Sequence, residues 1–84
     1  MYAIEYSKQA RKTLKGMPTN IRILILSKIE ELAVDPFSAN NVKKLEGRDG
    51  YRLRVGNWRV IYEVNGNTIV LYVVAIGARG GVYQ

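Results

Sequence analysis

Residues 51–62, Tyr51-Arg52-Leu53-Arg54-Val55-Gly56-Asn57-Trp58-Arg59-Val60-Ile61-Tyr62, constrain the fold of this chain more than any other stretch. They read as two short strands around a tight turn. Alternation sets Tyr51, Leu53 and Val55 on one sheet face and Arg52 and Arg54 on the other. Gly-Asn between hydrophobic strands predicts a two-residue hairpin loop, with Gly56 in the first, positive-φ position of a type II′ turn. Such a loop sets Val55 opposite Trp58, and therefore Arg54 opposite Arg59. Two cations facing each other across a hairpin cost about 0.2–1 kcal/mol. A small domain that carries this cost presents those charges to an anion, so the pattern points to a preformed phosphate site.

The chain has 84 residues, enough for one domain over residues 1–84 with one core. A chain this short buries about 60–65% of its unfolded surface. It has neither cysteine nor histidine. That excludes disulfides and thiolate metal sites, and removes the commonest metal ligand and the commonest general acid–base. The composition therefore predicts no metal and no cofactor. No apolar run approaches the roughly 18–20 residues of a membrane span, and the N-terminus lacks the order of a signal peptide. The expected location is the cytoplasm. Thirteen Lys and Arg against seven Asp and Glu leave a net charge of +6, which favours a polyanionic partner.

Around the hairpin, the pattern predicts a strand over residues 1–6, with Tyr2, Ile4 and Tyr6 in alternation. Ser7 can N-cap a helix over residues 8–15 that stops at Gly16. Pro18 opens a second helix ending near Val34, before Asp35-Pro36. Its apolar stripe is Ile21, Leu24, Ile25, Ile29, Leu32 and Ala33, with Ile23 and Leu26 as surplus apolar surface. Residues 37–50 are polar and predict a loop. Strands follow at about 51–55, 58–64 and 69–76, the last apolar on both parities and so internal to the sheet. The order β-α-α-β-β-β predicts an α+β sandwich, two N-terminal helices on one face of a mainly antiparallel four-stranded sheet.

Asn65-Gly66 predicts a second tight hairpin. With a two-residue loop there, Arg59 faces Tyr72, and Arg54, Arg59 and Tyr72 form a row on the face that carries Arg52. A three-residue loop reverses that parity. The tail, Gly77-Ala78-Arg79-Gly80-Gly81-Val82-Tyr83-Gln84, sets three glycines around one arginine and ends just after a tyrosine.

These residues resemble the RelE/ParE superfamily of bacterial toxins from type II toxin–antitoxin pairs. The likeness spans nearly the whole chain: Ala10, Leu14 and Gly16-Met17-Pro18, then Lys44-Leu45-Glu46-Gly47, the hairpin 51–62, and the closing Arg79 with Val82-Tyr83. Hairpin and tail are its specific part. The resemblance implies the same compact sandwich and, for RelE-like members, cleavage of messenger RNA in the ribosomal A site. It carries the functional positions onto Arg52, Arg54, Arg59, Arg79 and Tyr83. RelE-like enzymes often have lysine at the first two, and other branches use histidines or a glutamate that are not matched here. ParE-like members, which poison DNA gyrase, generally lack this cluster, so keeping all five positions favours the nuclease. The implied partners are a cognate antitoxin and mRNA on the 70S ribosome, with DNA reached only through the antitoxin complex and no membrane contact.

Attack of a 2′-OH on its adjacent phosphate needs a proton acceptor, a proton donor for the leaving 5′ oxygen, and stabilisation of charge on phosphorus. Guanidinium forks meet the third need, each well-placed donor being worth about 2.7–4 kcal/mol in the transition state. Arginine, protonated to above about pH 12, is a poor base. Of the matched positions Tyr83 is the one base candidate, since a tyrosine pKa of about 10 falls among cations; it is equally suited to stacking on a nucleobase. Tyr51 and Trp58 share the parity of Leu53 and Val55 and are expected in the core. Lys8, Arg11, Lys12 and Lys15 form a basic face on the first helix, expected to be solvated.

Overall fold

The chain runs β1 (Ala3–Tyr6), α1 (Lys8–Gly16), α2 (Thr19–Val34), β2 (Val42–Lys44), β3 (Tyr51–Val55), β4 (Trp58–Asn65) and β5 (Val70–Ala78). It is seen in a computed structural model that describes residues 1–37 and 41–78. The strands form one sheet of order β1-β5-β4-β3-β2, antiparallel except for β1 against β5. Both helices pack on one face, where Ala10, Leu14, Ile25, Ile29 and Leu32 meet Leu53, Val60, Tyr62, Leu71, Val73 and Ile76. Full burial of side chains of this size contributes about 1.5–3 kcal/mol each. The expected α+β sandwich is therefore present, with five strands in place of four.

The fifth strand, β2, lies inside the stretch expected to be a loop. Its three residues, Val-Lys-Lys, are too few to show an alternation. It forms on the open edge of β3, pairing Val42 with Leu53, Lys43 with Arg52 and Lys44 with Tyr51. Bonds from Arg54 N to Asn41 O (3.1 Å) and from Leu45 N to Gly50 O (3.0 Å) extend that edge at both ends.

α1 starts where the sequence places it. Ser7 is its N-cap, its hydroxyl accepting from Ala10 N at 3.0 Å. The same hydroxyl donates to Val74 O at 2.6 Å. Gln9 adds a two-way contact, donating to Ile76 O and accepting from Ile76 N, each at 3.0 Å. These bonds satisfy the edge of β5 beyond the end of β1, whose last pair is Tyr6 with Val73. At α1's other end, Arg22 donates to Leu14 O (3.3 Å) and Thr19 Oγ1 (3.2 Å), so this cation is committed to holding the helices together.

The α2 stripe differs from the expectation at two positions. Ile25, Ile29, Leu32 and Ala33 are buried and Ile21 packs beside them, but Leu24 is 45% exposed. Leu26, expected to be surplus surface, packs against the core in its place. Ile23 does point outward, at 62% exposure.

The β4–β5 connection also differs. Asn65 pairs with Val70, leaving a four-residue turn over Gly66, Asn67, Thr68 and Ile69 rather than two residues. Asn65 Oδ1 accepts from Asn67 N (3.0 Å) and Thr68 N (3.1 Å), and Ile69 takes a positive φ of 54°. Further along, Ile61 pairs with Ala75 while Tyr62 pairs with Val73, so Val74 is an extra residue in β5. Such a bulge reverses parity beyond it. Leu71, Val73 and Ile76 consequently all reach the core.

Candidate phosphate-binding surface

The β3–β4 hairpin has the expected register: Val55 with Trp58, Arg54 with Arg59, Leu53 with Val60 and Arg52 with Ile61. Gly56 has φ +59° and Asn57 is not among the positive-φ residues, as a type II′ turn requires. Tyr51 and Trp58 pack against the core cluster. The arginines therefore occupy the sheet face opposite the helices. Arg54 is exposed, and Arg52 and Arg59 are half-buried.

The row Arg54–Arg59 continues on β5 to Gly77, not to Tyr72. The four-residue turn and the extra residue at Val74 together move the register, so the expected Arg54–Arg59–Tyr72 row is not formed. Gly77 contributes no side chain beside Arg59. Tyr72 instead sits between Glu63 on β4 and Glu5 on β1. It is 37% exposed.

One cation in this cluster escaped the sequence reading. Lys43 on β2 is exposed and faces Arg52, making a second like-charge pair across neighbouring strands. The signal was hidden because β2 itself was not legible. Among the described residues the ion pair formed is Lys28 with Glu31 at 3.8 Å on α2, so Lys43, Arg52, Arg54 and Arg59 have no acidic partner there. Arg52 Nε is buried and has no hydrogen-bond partner among the described residues. A buried donor without a partner costs about 1–3 kcal/mol or more when charged, which an anion bound at that guanidinium would offset. Four cations on three adjacent strands give a surface suited to oxyanions, with arginine forks able to hold phosphate oxygens in pairs.

The base of the hairpin is fixed by aromatic packing. Tyr51 stacks on Tyr62 with ring centroids 5.6 Å apart, and Phe37 meets Tyr51 edge-on at 5.3 Å. The Tyr62 hydroxyl donates to Pro36 O at 2.9 Å in a buried setting. Burial, aided by the neighbouring Tyr51, pushes the Tyr62 hydroxyl pKa well above the usual tyrosine value, so it stays protonated. Tyr6, beneath α2, is raised by burial and by Glu30. Both tyrosines are packing groups, set away from the arginine face. Arg79 and Tyr83, the remaining two expected site residues, lie outside the described residues, as do Val82 of the tail and residues 38–40 of the expected loop. Among the described residues no helix is long and apolar enough to cross a membrane.

A family model describing the ParE toxin of the type II toxin–antitoxin system parDE matches residues 4–83. Toxin RelE3 of Methanocaldococcus jannaschii is 41% identical over 70 residues, covering 77% of this chain and 78% of that protein. Putative toxin RelE1 of the same organism is 30% identical over 86 residues, covering 99% and 96%. Among solved structures, the RelE–RelB complex of Pyrococcus horikoshii OT3 contains a similar chain with a TM-score of 0.84 and 32% identity, covering 96% of this chain and 98% of that one.

Proposed function

Because the chain belongs to the RelE/ParE superfamily of type II toxin–antitoxin toxins, and its relatives are RelE-named toxins, we propose that it is a ribosome-dependent endoribonuclease cutting mRNA in the A site. The observation that carries this reading is the Arg54–Arg59 pair beside Arg52, whose buried Nε has no partner among the described residues, on the sheet face opposite α1 and α2. In the reaction the 2′ oxygen loses its proton and forms a bond to phosphorus while the bond to the 5′ oxygen breaks, that oxygen taking a proton from water. The products are a 2′,3′-cyclic phosphate and a free 5′-OH. Arg52, Arg54, Arg59 and Arg79 stabilise the charge that grows on the phosphate oxygens. Tyr83 takes the 2′ proton or stacks on the neighbouring base. Proton-transfer groups are sparse, so positioning of the mRNA by the ribosome supplies much of the barrier reduction. The domain spans residues 1–84, works in the cytoplasm and needs no metal. A cognate antitoxin of the RelB kind holds it inactive, as the complexes of its structural relatives suggest. DNA is reached only through that complex.

The ParE description of the matching family model favours a second reading, inhibition of DNA gyrase without RNA cleavage. One experiment separates the two. The purified protein is incubated with ribosomes programmed with mRNA, with the same mRNA alone, and with gyrase and plasmid. New mRNA 5′ ends at A-site codons, with little cleavage of free mRNA, support the nuclease. Gyrase-linked DNA breaks with intact mRNA overturn it. Equal cleavage rates on free and ribosome-bound mRNA refute the dependence on the ribosome.

A further inference from the structure

The sheet face opposite the helices is electrically divided. From the hairpin tip inward, its rows are Arg54–Arg59–Gly77, then Lys43–Arg52–Ile61–Ala75, then Glu63–Tyr72–Glu5. Cations occupy the corner formed by β2, β3 and the start of β4. Carboxylates occupy the corner formed by the end of β4, β5 and β1. A groove at that second corner is lined by Glu5, Asp49, Glu63 and Tyr72, with Lys44 as the one cation among its lining residues. Glu5, Asp49 and Glu63 form no ion pair with any described residue. Their charge is therefore fully presented to whatever lies over the groove.

Distance decides whether the two corners cancel. Glu63 is four residues along β4 from Arg59, about 13 Å at roughly 3.3 Å per residue. The screening length at physiological salt is about 8 Å. At that ionic strength the carboxylates leave the field at Arg54 and Arg59 nearly intact. Arg52, whose row lies two residues or about 7 Å from that of Glu63, is screened only in part, and it marks where the cationic surface ends.

We infer that a single-stranded RNA crosses this face along β2, β3 and the start of β4, that Lys43 is a further phosphate contact on that track, and that the Glu5–Tyr72–Glu63 row bounds it. This rests on the nuclease reading above. Lys43 extends the cationic surface outward from Arg52 to the sheet edge, where a neighbouring phosphate of a strand held at Arg54 and Arg59 lies. The carboxylate row repels a backbone that continues towards β5 and β1. The strand thereby has one route across the site, and the phosphate presented to the arginines is fixed in register.

The test is the salt dependence of binding to a short single-stranded RNA, read by fluorescence anisotropy with the whole chain. For a single strand each phosphate contact adds about 0.7 to the slope of log affinity against log salt. Lys43→Ala is expected to lower that slope by about 0.7 and to raise KM for ribosomal mRNA with kcat unchanged. Glu5→Gln with Glu63→Gln is expected to raise the slope by about 0.7, as a phosphate of the strand reaches Lys44, the cation of the groove beyond the boundary. Glu30→Gln with Glu31→Gln, exposed positions on α2 at the helical side, is the control and leaves the slope unchanged. A wild-type affinity independent of salt overturns the nuclease reading together with the track. A steep wild-type slope that neither the Lys43 nor the Glu5/Glu63 variant alters overturns the track alone, as does a control variant that moves the slope as far as Glu5/Glu63 does.

Discussion

Arg54 and Arg59 face each other across the β3–β4 hairpin, with neither held by an acidic partner among the described residues. Mutual repulsion of such a pair works against the hairpin that carries it. The contribution of these side chains to stability and their contribution to activity should therefore have opposite signs.

Replacing Arg54 with alanine is expected to leave folding stability unchanged or to raise it by a few tenths, up to about 1 kcal/mol. The same change removes a phosphate contact made most strongly in the transition state, and A-site cleavage falls by about two orders of magnitude or more. Denaturant unfolding beside ribosomal cleavage kinetics measures both. A buried, paired arginine behaves otherwise, since stranding its partner costs about 3–5 kcal/mol. An Arg54→Ala variant that unfolds readily yet cleaves in proportion to its folded fraction would make the hairpin arginines scaffold.

The hairpin was legible because two independent signals agree there: strict alternation and a Gly-Asn turn that fixes the register without reference to any distant residue. Tyr72 was not placed correctly, for a physical reason. Val73-Val74-Ala75-Ile76 is apolar at every position, so nothing in it marks Val74 as the extra residue that reverses the face. The bulge is supported from outside the strand, by Ser7 and Gln9 of α1, a contact between positions 67 apart in sequence. On α2, at about 100° per residue, the buried arc runs from Ile21 through Ile25 and Ile29 to Ala33 and Leu26. Leu24 falls outside it on the far side, a distinction that composition alone does not make. Lys43 was missed because a three-residue polar edge strand forms to complete β3 and has no pattern of its own.

Gly50 separates two kinds of glycine in this chain. It has φ +114°, and a Cβ there would lie 3.0 Å from the Tyr62 carbonyl oxygen and 3.5 Å from Glu63 Cγ. Gly56 also has a positive φ, +59°, but opens onto free space. Gly50→Ala is expected to cost about 1–3 kcal/mol through backbone strain, with the close approach to β4 added. Gly56→Ala, with strain alone, should cost about 1–2 kcal/mol. Urea unfolding of both variants checks the order, and a Gly56 variant less stable than the Gly50 variant would contradict it.

The exposed apolar side chains of α2 offer a proposed antitoxin anchor, since a partner segment gains free energy by burying them. Ile23 and Leu24 are 62% and 45% exposed, about 100° apart around the helix. Full burial of an isoleucine is worth about 1.5–3 kcal/mol, which is at least tenfold in affinity. Ile23→Asp is expected to weaken binding of the cognate antitoxin by at least about tenfold while leaving stability of the free domain nearly unchanged. Arg52→Ala with Arg54→Ala should leave tight binding in place. Calorimetric titration of the three proteins decides, and the reverse ranking would move the anchor from the helix to the basic face.

Tyr62 gives the chain a specific alkaline limit. Its buried hydroxyl donates to Pro36 O at 2.9 Å, and burial followed by the neighbouring Tyr51 raises its pKa above that of an exposed tyrosine. A group whose folded pKa is raised contributes stability that is fully present below the unfolded value, about 10 for tyrosine, and is lost as pH climbs towards the folded value. Tyr6, raised by its burial and by Glu30, adds in the same direction. Stability should thus be insensitive to these groups at neutral pH and fall from about pH 10 upward. Tyr62→Phe removes the larger part of that fall, at the cost of leaving the Pro36 carbonyl without its donor, about 1–3 kcal/mol at pH 7. The stability difference between wild type and variant should then shrink as pH rises above 10. Thermal or urea unfolding of both proteins between neutral and alkaline pH measures it. A difference that stays constant over that range would show that the Tyr62 hydroxyl ionises equally well in the folded and unfolded chains.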